Sequence, residues 1–238
     1  MAEAVRFNPV EIRKVREEAR RAIAPTGTDP AADGVFSRSD EPMKILKAFP
    51  MFSLKTGYVL RGYRLFSGGN GNGVVWAMPE EAPFPSREEL RRRHGVPREK
   101  DGLAKLCQLK PTHALDDFME IVRGDGSPWS YLCASVLARE LQEYGAMWHG
   151  CWWGAHEIMG MGENDAYEPP HWTWLAEKLQ DFRPAVEVAG EGAIVTLYTL
   201  SDLGQQTISR FTDRYAKDSY CFETHAQTVA TGGPGVIF

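Results

Sequence analysis

The run Ala193-Ile-Val-Thr-Leu-Tyr-Thr-Leu200 constrains this chain more than any other segment. Its β-branched and aromatic residues fall on both sides of an extended backbone, the pattern of a strand at the centre of its sheet. Ala185–Val188 precedes it across Gly190-Glu191-Gly192, so the two read as strands joined by a turn. A second segment is as clearly helical. Ser127 caps, Pro128 fits the first turn, and Trp129, Leu132, Cys133, Val136, Leu137, Leu141 and Tyr144 repeat at helical spacing until Gly145 stops them. A central strand and a long amphipathic helix, without regular alternation elsewhere, point to an α+β fold with a mixed or antiparallel sheet and packed helices.

Other elements follow from local chemistry. Asn8, Pro9 and Glu11 start a first helix through residue 23, with Ile12, Val15, Ala19 and Ala22 on one face. Residues 24–42 are rich in turn formers and polar groups and read as a linker, making 1–42 an arm ahead of a single α+β domain at 43–238. Tyr58–Phe66 and Val74–Met78 read as strands flanking a Gly/Asn loop at 68–73. Helices are expected at Ser86–Gly95, at Thr112–Arg123 (burying Leu115, Phe118, Met119 and Val122), and from Pro169 through Trp172, Leu175 and Leu179. A last helix after Ser201 would bury Ile208, Phe211 and Tyr215. Gly150 and Gly154 disfavour a helix, so Met147–Trp153 reads as a strand.

Composition bounds the function classes. The 238 residues are 43% hydrophobic and 25% charged, enough for a sizeable core without disulfides or structural metal. Mean hydropathy is -0.36, and no apolar run approaches the ~20 residues of a membrane span. The first residues lack a secretory pattern, so a soluble, cytoplasmic protein is expected. Net charge is -5, which argues against nucleic acid as a partner. Charge is uneven, however: 139–191 holds ten acidic against three basic residues, whereas Arg87, Arg91, Arg92, Arg93, Arg98 and Lys100 crowd into 86–100. Such poles suit a protein partner or a second copy, or are simply solvated faces.

Familiar catalytic patterns are missing. The glycine loop fits neither dinucleotide nor P-loop spacing. His156-Glu157 lacks the second histidine of a zincin helix, and there is no deaminase or Gly-x-Ser-x-Gly signature. Cys107, Cys133, Cys151 and Cys221 form no Cys-x-x-Cys pair. No motif names a cofactor, and no metal is assigned.

One region nevertheless gathers chemistry. Six of seven tryptophans lie between Trp129 and Trp174, with three of six histidines. The plain reading is a tryptophan-rich core. The functional one is a small-molecule site walled by Trp148, Trp152, Trp153 and Trp172, with polar work by Glu140, His149, Cys151, His156 and Glu157. On an extended 147–153, His149 and Cys151 would share a face roughly 7 Å apart, close enough for a Cys–His pair. Glu140 sits in the apolar stripe of its helix. If buried it needs a partner, either His149, His156 or an arginine from elsewhere, and becomes a candidate general acid or base. Such a site would do acid/base or hydrolytic chemistry. The alternative is a non-enzymatic interaction domain that uses the same aromatics as a protein-binding patch.

Overall fold

The computed structural model describes residues 3–23, 34–38, 41–67, 70–86, 88–89, 92, 109–147, 151–161 and 172–236. In chain order its elements begin with β1 (Val5–Arg6), α1 (Pro9–Ala22), β2 (Gly34–Arg38), α2 (Glu41–Lys47), β3 (Ser53–Leu54), β4 (Tyr58–Ser67) and β5 (Asn70–Pro79). They continue with β6 (Val122–Arg123), α3 (Pro128–Gln142), β7 (His156–Ile158), β8 (Thr173–Trp174), β9 (Ala185–Ala189), β10 (Gly192–Ser201), β11 (Gln205–Ala216) and β12 (Phe222–Pro234). Every pairing between these strands is antiparallel. The chain is α+β with strand predominating. Among the described residues no helix is long and apolar enough to cross a membrane.

The chain divides into two compact units. The first comprises Met1–Lys14, Asp125–Ser135 and Trp152–Phe238. Among the described residues its sheet has the order β1-β9-β10-β11-β12-β8, with β7 also pairing β10. β10 is central, as its two-sided apolar composition requires: β9 and β7 flank one edge and β11 the other. Val195 and Leu197 are fully buried on one face, while Tyr198 and Leu200 are buried on the opposite face.

Each face has its own cover. Tyr198 and Leu200 join Met159, Phe182, Ile208, Val229 and Ala230 in one cluster, against which Trp172, Trp174 and Leu179 pack. On the other face the N-terminal half of α3 meets β11 through hydroxyls. Ser135 Oγ lies 2.7 Å from Tyr215 Oη, which donates to the Tyr131 carbonyl at 3.2 Å. Ser130 Oγ lies 2.7 Å from Tyr220 Oη, which also accepts from the Gly126 amide at 3.0 Å.

The segment after Ser201 is strand β11, not the expected helix. The register pairs Leu197 with Phe211 and Leu200 with Ile208, so Ile208 and Phe211 lie on opposite faces. A strand buried on both sides collects apolar residues at odd separations, and three plus four mimics a helical stripe. Ser201 Oγ accepts from the Leu203 amide at 3.3 Å, but the turn it makes leads into a strand.

The second unit comprises Val15–Gly124 and Val136–Cys151. Its β4–β5 hairpin pairs from Tyr58↔Pro79 up to Ser67↔Asn70, so Asn70–Gly73, expected in the loop, belongs to β5. The glycines there serve close approach: a Cβ on Gly73 would lie 2.1 Å from the Tyr144 carbonyl oxygen. Tyr63 packs against Trp76 edge-on and stacks on Phe84 at 4.8 Å. Within the expected linker, residues 34–38 pair with β4 as β2, and α2 begins at Glu41, burying Pro42, Ile45 and Leu46. Residues 24–33 lie outside the described residues.

Three further expectations change. Over 112–123 the chain makes a 3-10 turn at Phe118–Ile121 and then β6, not a helix. His113 has φ +67°, the Leu115 amide is committed to the Ala77 carbonyl at 2.8 Å, and Asp117 caps the turn through the Met119 amide. Thr173–Trp174 is strand, paired with β12, where a helix from Pro169 was expected; 162–171 lie outside the described residues. Of the strand expected at 147–153, Met147 makes an isolated bridge to Gly71, 148–150 lie outside the described residues, and Trp153 sits in a 3-10 turn at Trp153–Ala155, after which β7 starts at His156. The Ser86 cap is present, with Oγ accepting from the Glu89 amide at 3.2 Å, and residues 88–89 and 92 of the expected helix are helical; Arg87, Arg91, Arg93, Arg98 and Lys100 lie outside the described residues.

Candidate functional site

Five side chains of the first unit, Trp152, Trp153, His156, Thr199 and Phe211, converge at the β7 end of the sheet. The Trp152 carbonyl accepts from the Ala155 amide at 3.1 Å, closing the tight turn that precedes β7. This turn sends consecutive indoles in different directions: Trp153 is 1% exposed, Trp152 53%. His156 then opens β7 opposite Ser201, with its ring buried and Nδ1 2.7 Å from Thr199 Oγ1.

The imidazole is enclosed by rings. Trp152 lies 4.7 Å from it, centroid to centroid, and Trp153 stacks at 6.0 Å with planes 17° apart. Phe211, from β11, stands edge-on to all three rings at 5.7 to 6.1 Å. Such offset and edge contacts hold aromatic groups in fixed orientation. The exposed indole is therefore a ledge braced from beneath by a histidine and a phenylalanine.

The other candidates stand elsewhere. Glu157 follows His156 on the strand and so points to the opposite side; it is exposed, 3.9 Å from Arg13, which is itself anchored on the Ile158 carbonyl. Trp172 packs against the Tyr198–Leu200 cluster, with the sheet between it and His156. Trp148 and His149 lie outside the described residues. Cys151 is half-buried, and burial, reinforced by Glu143, pushes its thiol up from the ordinary range, away from an activated nucleophile.

Glu140 is buried in the second unit, and its partner is an arginine, one of the alternatives its position in the stripe raised. Its Oε1 accepts from Arg16 Nε at 2.6 Å and its Oε2 from Arg20 Nε at 3.2 Å, both on α1. Burial draws Arg16 below the usual arginine range, with Glu140 opposing that shift. This is the geometry of a structural ion pair. Arg92, from the basic run, is exposed.

Phe211 and Thr199 complete the ring cluster, and no spacing around His156 foretold either. Both arrive by strand pairing, from segments 40 to 60 residues further along the chain. Asp213, two residues beyond Phe211 on the same face, is fully buried and accepts from Thr224 Oγ1 at 2.6 Å. A separate open cleft of about 590 Å³ is lined by Glu187, Glu191, Arg214, Tyr215 and neighbouring backbone; none of the candidate residues lines it. Among the described residues no group of three or more His, Cys, Asp or Glu is placed to hold a metal ion. Compared with protein-family models, curated proteins and solved structures, the chain matches none.

Proposed function

We propose that this chain binds a small planar molecule at the Trp152 ledge, with His156 as the group available for acid–base chemistry. The observation that supports this most is the exposure of Trp152 at 53% while its ring is braced by His156 and Phe211. A large indole left in water but held in orientation has already lost its rotamer freedom, which lowers the cost of stacking a ligand on it. His156 contributes a titratable ring in the same cluster, oriented at Nδ1 by Thr199.

Saturation-transfer NMR with indole and adenosine as probes tests the reading. Stacking on one aromatic ring is worth about 1–3 kcal/mol, so Trp152→Ala weakens binding about fivefold or more. Trp152→Phe retains part of the affinity. Wild-type protein that binds neither probe, or a Trp152→Ala variant that binds as well as wild type, overturns the proposal. The exposed indole would then be better explained as a contact for a protein partner.

A further inference from the structure

β9 and β10 are joined by a tight turn, Gly190-Glu191, because Ala189 pairs directly with Gly192. Gly192 has φ +148°, and a Cβ there would lie 2.0 Å from the Tyr215 carbonyl oxygen, so the turn packs closely against β11. The register then lines up Glu187 on β9, Ile194 on β10 and Arg214 on β11. Paired residues of antiparallel strands share a face, so Ile194 lies between a carboxylate and a guanidinium. The Cα atoms of Glu187 and Arg214 stand roughly 9–10 Å apart, two strand spacings. The apolar cluster on this face takes in Tyr198 and Leu200, but Ile194, nearer the turn, is only half-buried.

The open cleft of about 590 Å³ lies here, lined by Glu187, Glu191, Ile194 and Arg214 with Gly192 and Tyr215. Its volume falls within the roughly 300–1,000 Å³ of small-molecule sites. Glu187, Glu191 and Arg214 are exposed, and among the described residues none of them makes an ion pair or a side-chain hydrogen bond. Arg214 makes none even with Glu223, its cross-strand neighbour on β12. Opposite charges that share a cleft without neutralising each other each keep their attraction for a ligand group.

We infer that this cleft binds a free basic amino acid, with two cationic groups, one carboxylate and an aliphatic stem. The inference is independent of the Trp152 ledge, none of whose residues lines the cleft. Two carboxylates and one guanidinium call for the complementary set, two cations and one anion. Arg214 takes the α-carboxylate through the paired N–H donors that match its two oxygens. The stem lies over Ile194, which brings the side-chain ammonium to Glu187 on the far side, and Glu191 takes the α-ammonium. A dicarboxylate would meet two repelling glutamates, and a neutral amino acid would leave Glu187 unused.

Amide chemical-shift mapping of the full chain at low ionic strength, with L-lysine as the probe, tests the inference. Expected are shifts centred on Glu187, Glu191–Ile194 and Arg214, saturating with a dissociation constant on the order of 1 mM because the contacts are solvent-exposed. L-norleucine, which lacks the side-chain ammonium, and cadaverine, which lacks the carboxylate, each bind about fivefold more weakly. Arg214→Gln weakens L-lysine by the same factor and leaves cadaverine unchanged. Glu187→Gln weakens L-lysine and leaves L-norleucine unchanged. Both positions are exposed, so circular dichroism of each variant matches wild type. An L-lysine titration that leaves the cleft amides unmoved overturns the inference. So does cadaverine or L-norleucine binding as tightly as L-lysine, or an L-lysine affinity indifferent to either variant.

Discussion

The two units bury polar groups by different means. In the first, apart from the fully buried Asp213 carboxylate that accepts from Thr224, the buried polar contacts are built on hydroxyls: Ser130 with Tyr220, Ser135 with Tyr215, Thr199 with His156. In the second they are built on full charges: Arg16 and Arg20 hold Glu140, while Glu41 accepts from Tyr144 Oη and lies 3.5 Å from Arg64. The distinction follows from the desolvation each type demands. A hydroxyl pair asks for about 1 kcal/mol of compensation, but a buried ion left alone asks for several. Each charged cluster should therefore be intolerant of losing one member, whereas each hydroxyl contact should be individually dispensable.

Glu140→Gln is the largest expected effect. It leaves the Arg16 guanidinium buried beside a neutral amide, which destabilises by about 3–5 kcal/mol in chemical denaturation. Replacing Arg16 and Glu140 together by Met and Leu recovers most of that loss, since two apolar groups need no counter-charge. A loss under 1 kcal/mol for Glu140→Gln would erase the contrast between the units. In the first unit, Thr199→Val removes the hydroxyl from His156 Nδ1 and costs about 1–2 kcal/mol. Ser135→Ala costs about 1 kcal/mol, because Tyr215 keeps its bond to the Tyr131 carbonyl. A Ser135→Ala loss as large as that of Glu140→Gln would break the comparison from the other side.

Cysteine chemistry offers a smaller, kinetic effect. Burial and Glu143 raise the Cys151 thiol, so at neutral pH less of it is thiolate than for an ordinary cysteine. Alkylation of Cys151 by iodoacetamide, followed by peptide mass mapping, is therefore slow at pH 7. It keeps accelerating at alkaline pH beyond the point where a free thiol levels off. Fast labelling at pH 7 would mean that the side chain is activated after all.

The legible parts of this fold were those in which one segment carried its own signal. The β10 composition showed a central strand, Ser127 through Gly145 showed α3 with its stop at φ +74°, and the stripe position of Glu140 called for a partner if buried. Residues whose environment is set by distant pairing were not legible. Ile208, Phe211 and Tyr215 are buried on two faces of one strand, so their spacing imitated a helix. Gly71 and Gly73 looked like a loop because their purpose, letting Gly145 and Tyr144 come close, belongs to another segment. The candidate site was half legible for the same reason. Trp152, Trp153 and His156 are neighbours in sequence, but Phe211 and Thr199 reach them only through the sheet.

The smallest effect concerns the start of α3. Asp125 is held below the usual carboxylate range by hydrogen bonds from the Ser127 side chain and then its amide, the latter at 2.9 Å. A carboxylate depressed in the folded state contributes stability that is fully present above its unfolded value, near 4. That contribution is lost as pH falls through the lower folded value. Asp125 is exposed, so solvent screening holds the effect to a few tenths of a kcal/mol. Asp125→Asn should flatten the stability–pH curve slightly below pH 4 and leave it unchanged at pH 7 beyond that small offset. A loss above 1 kcal/mol at pH 7 would show that an exposed charge, too, holds this helix, and that the first unit depends on ions as much as the second does.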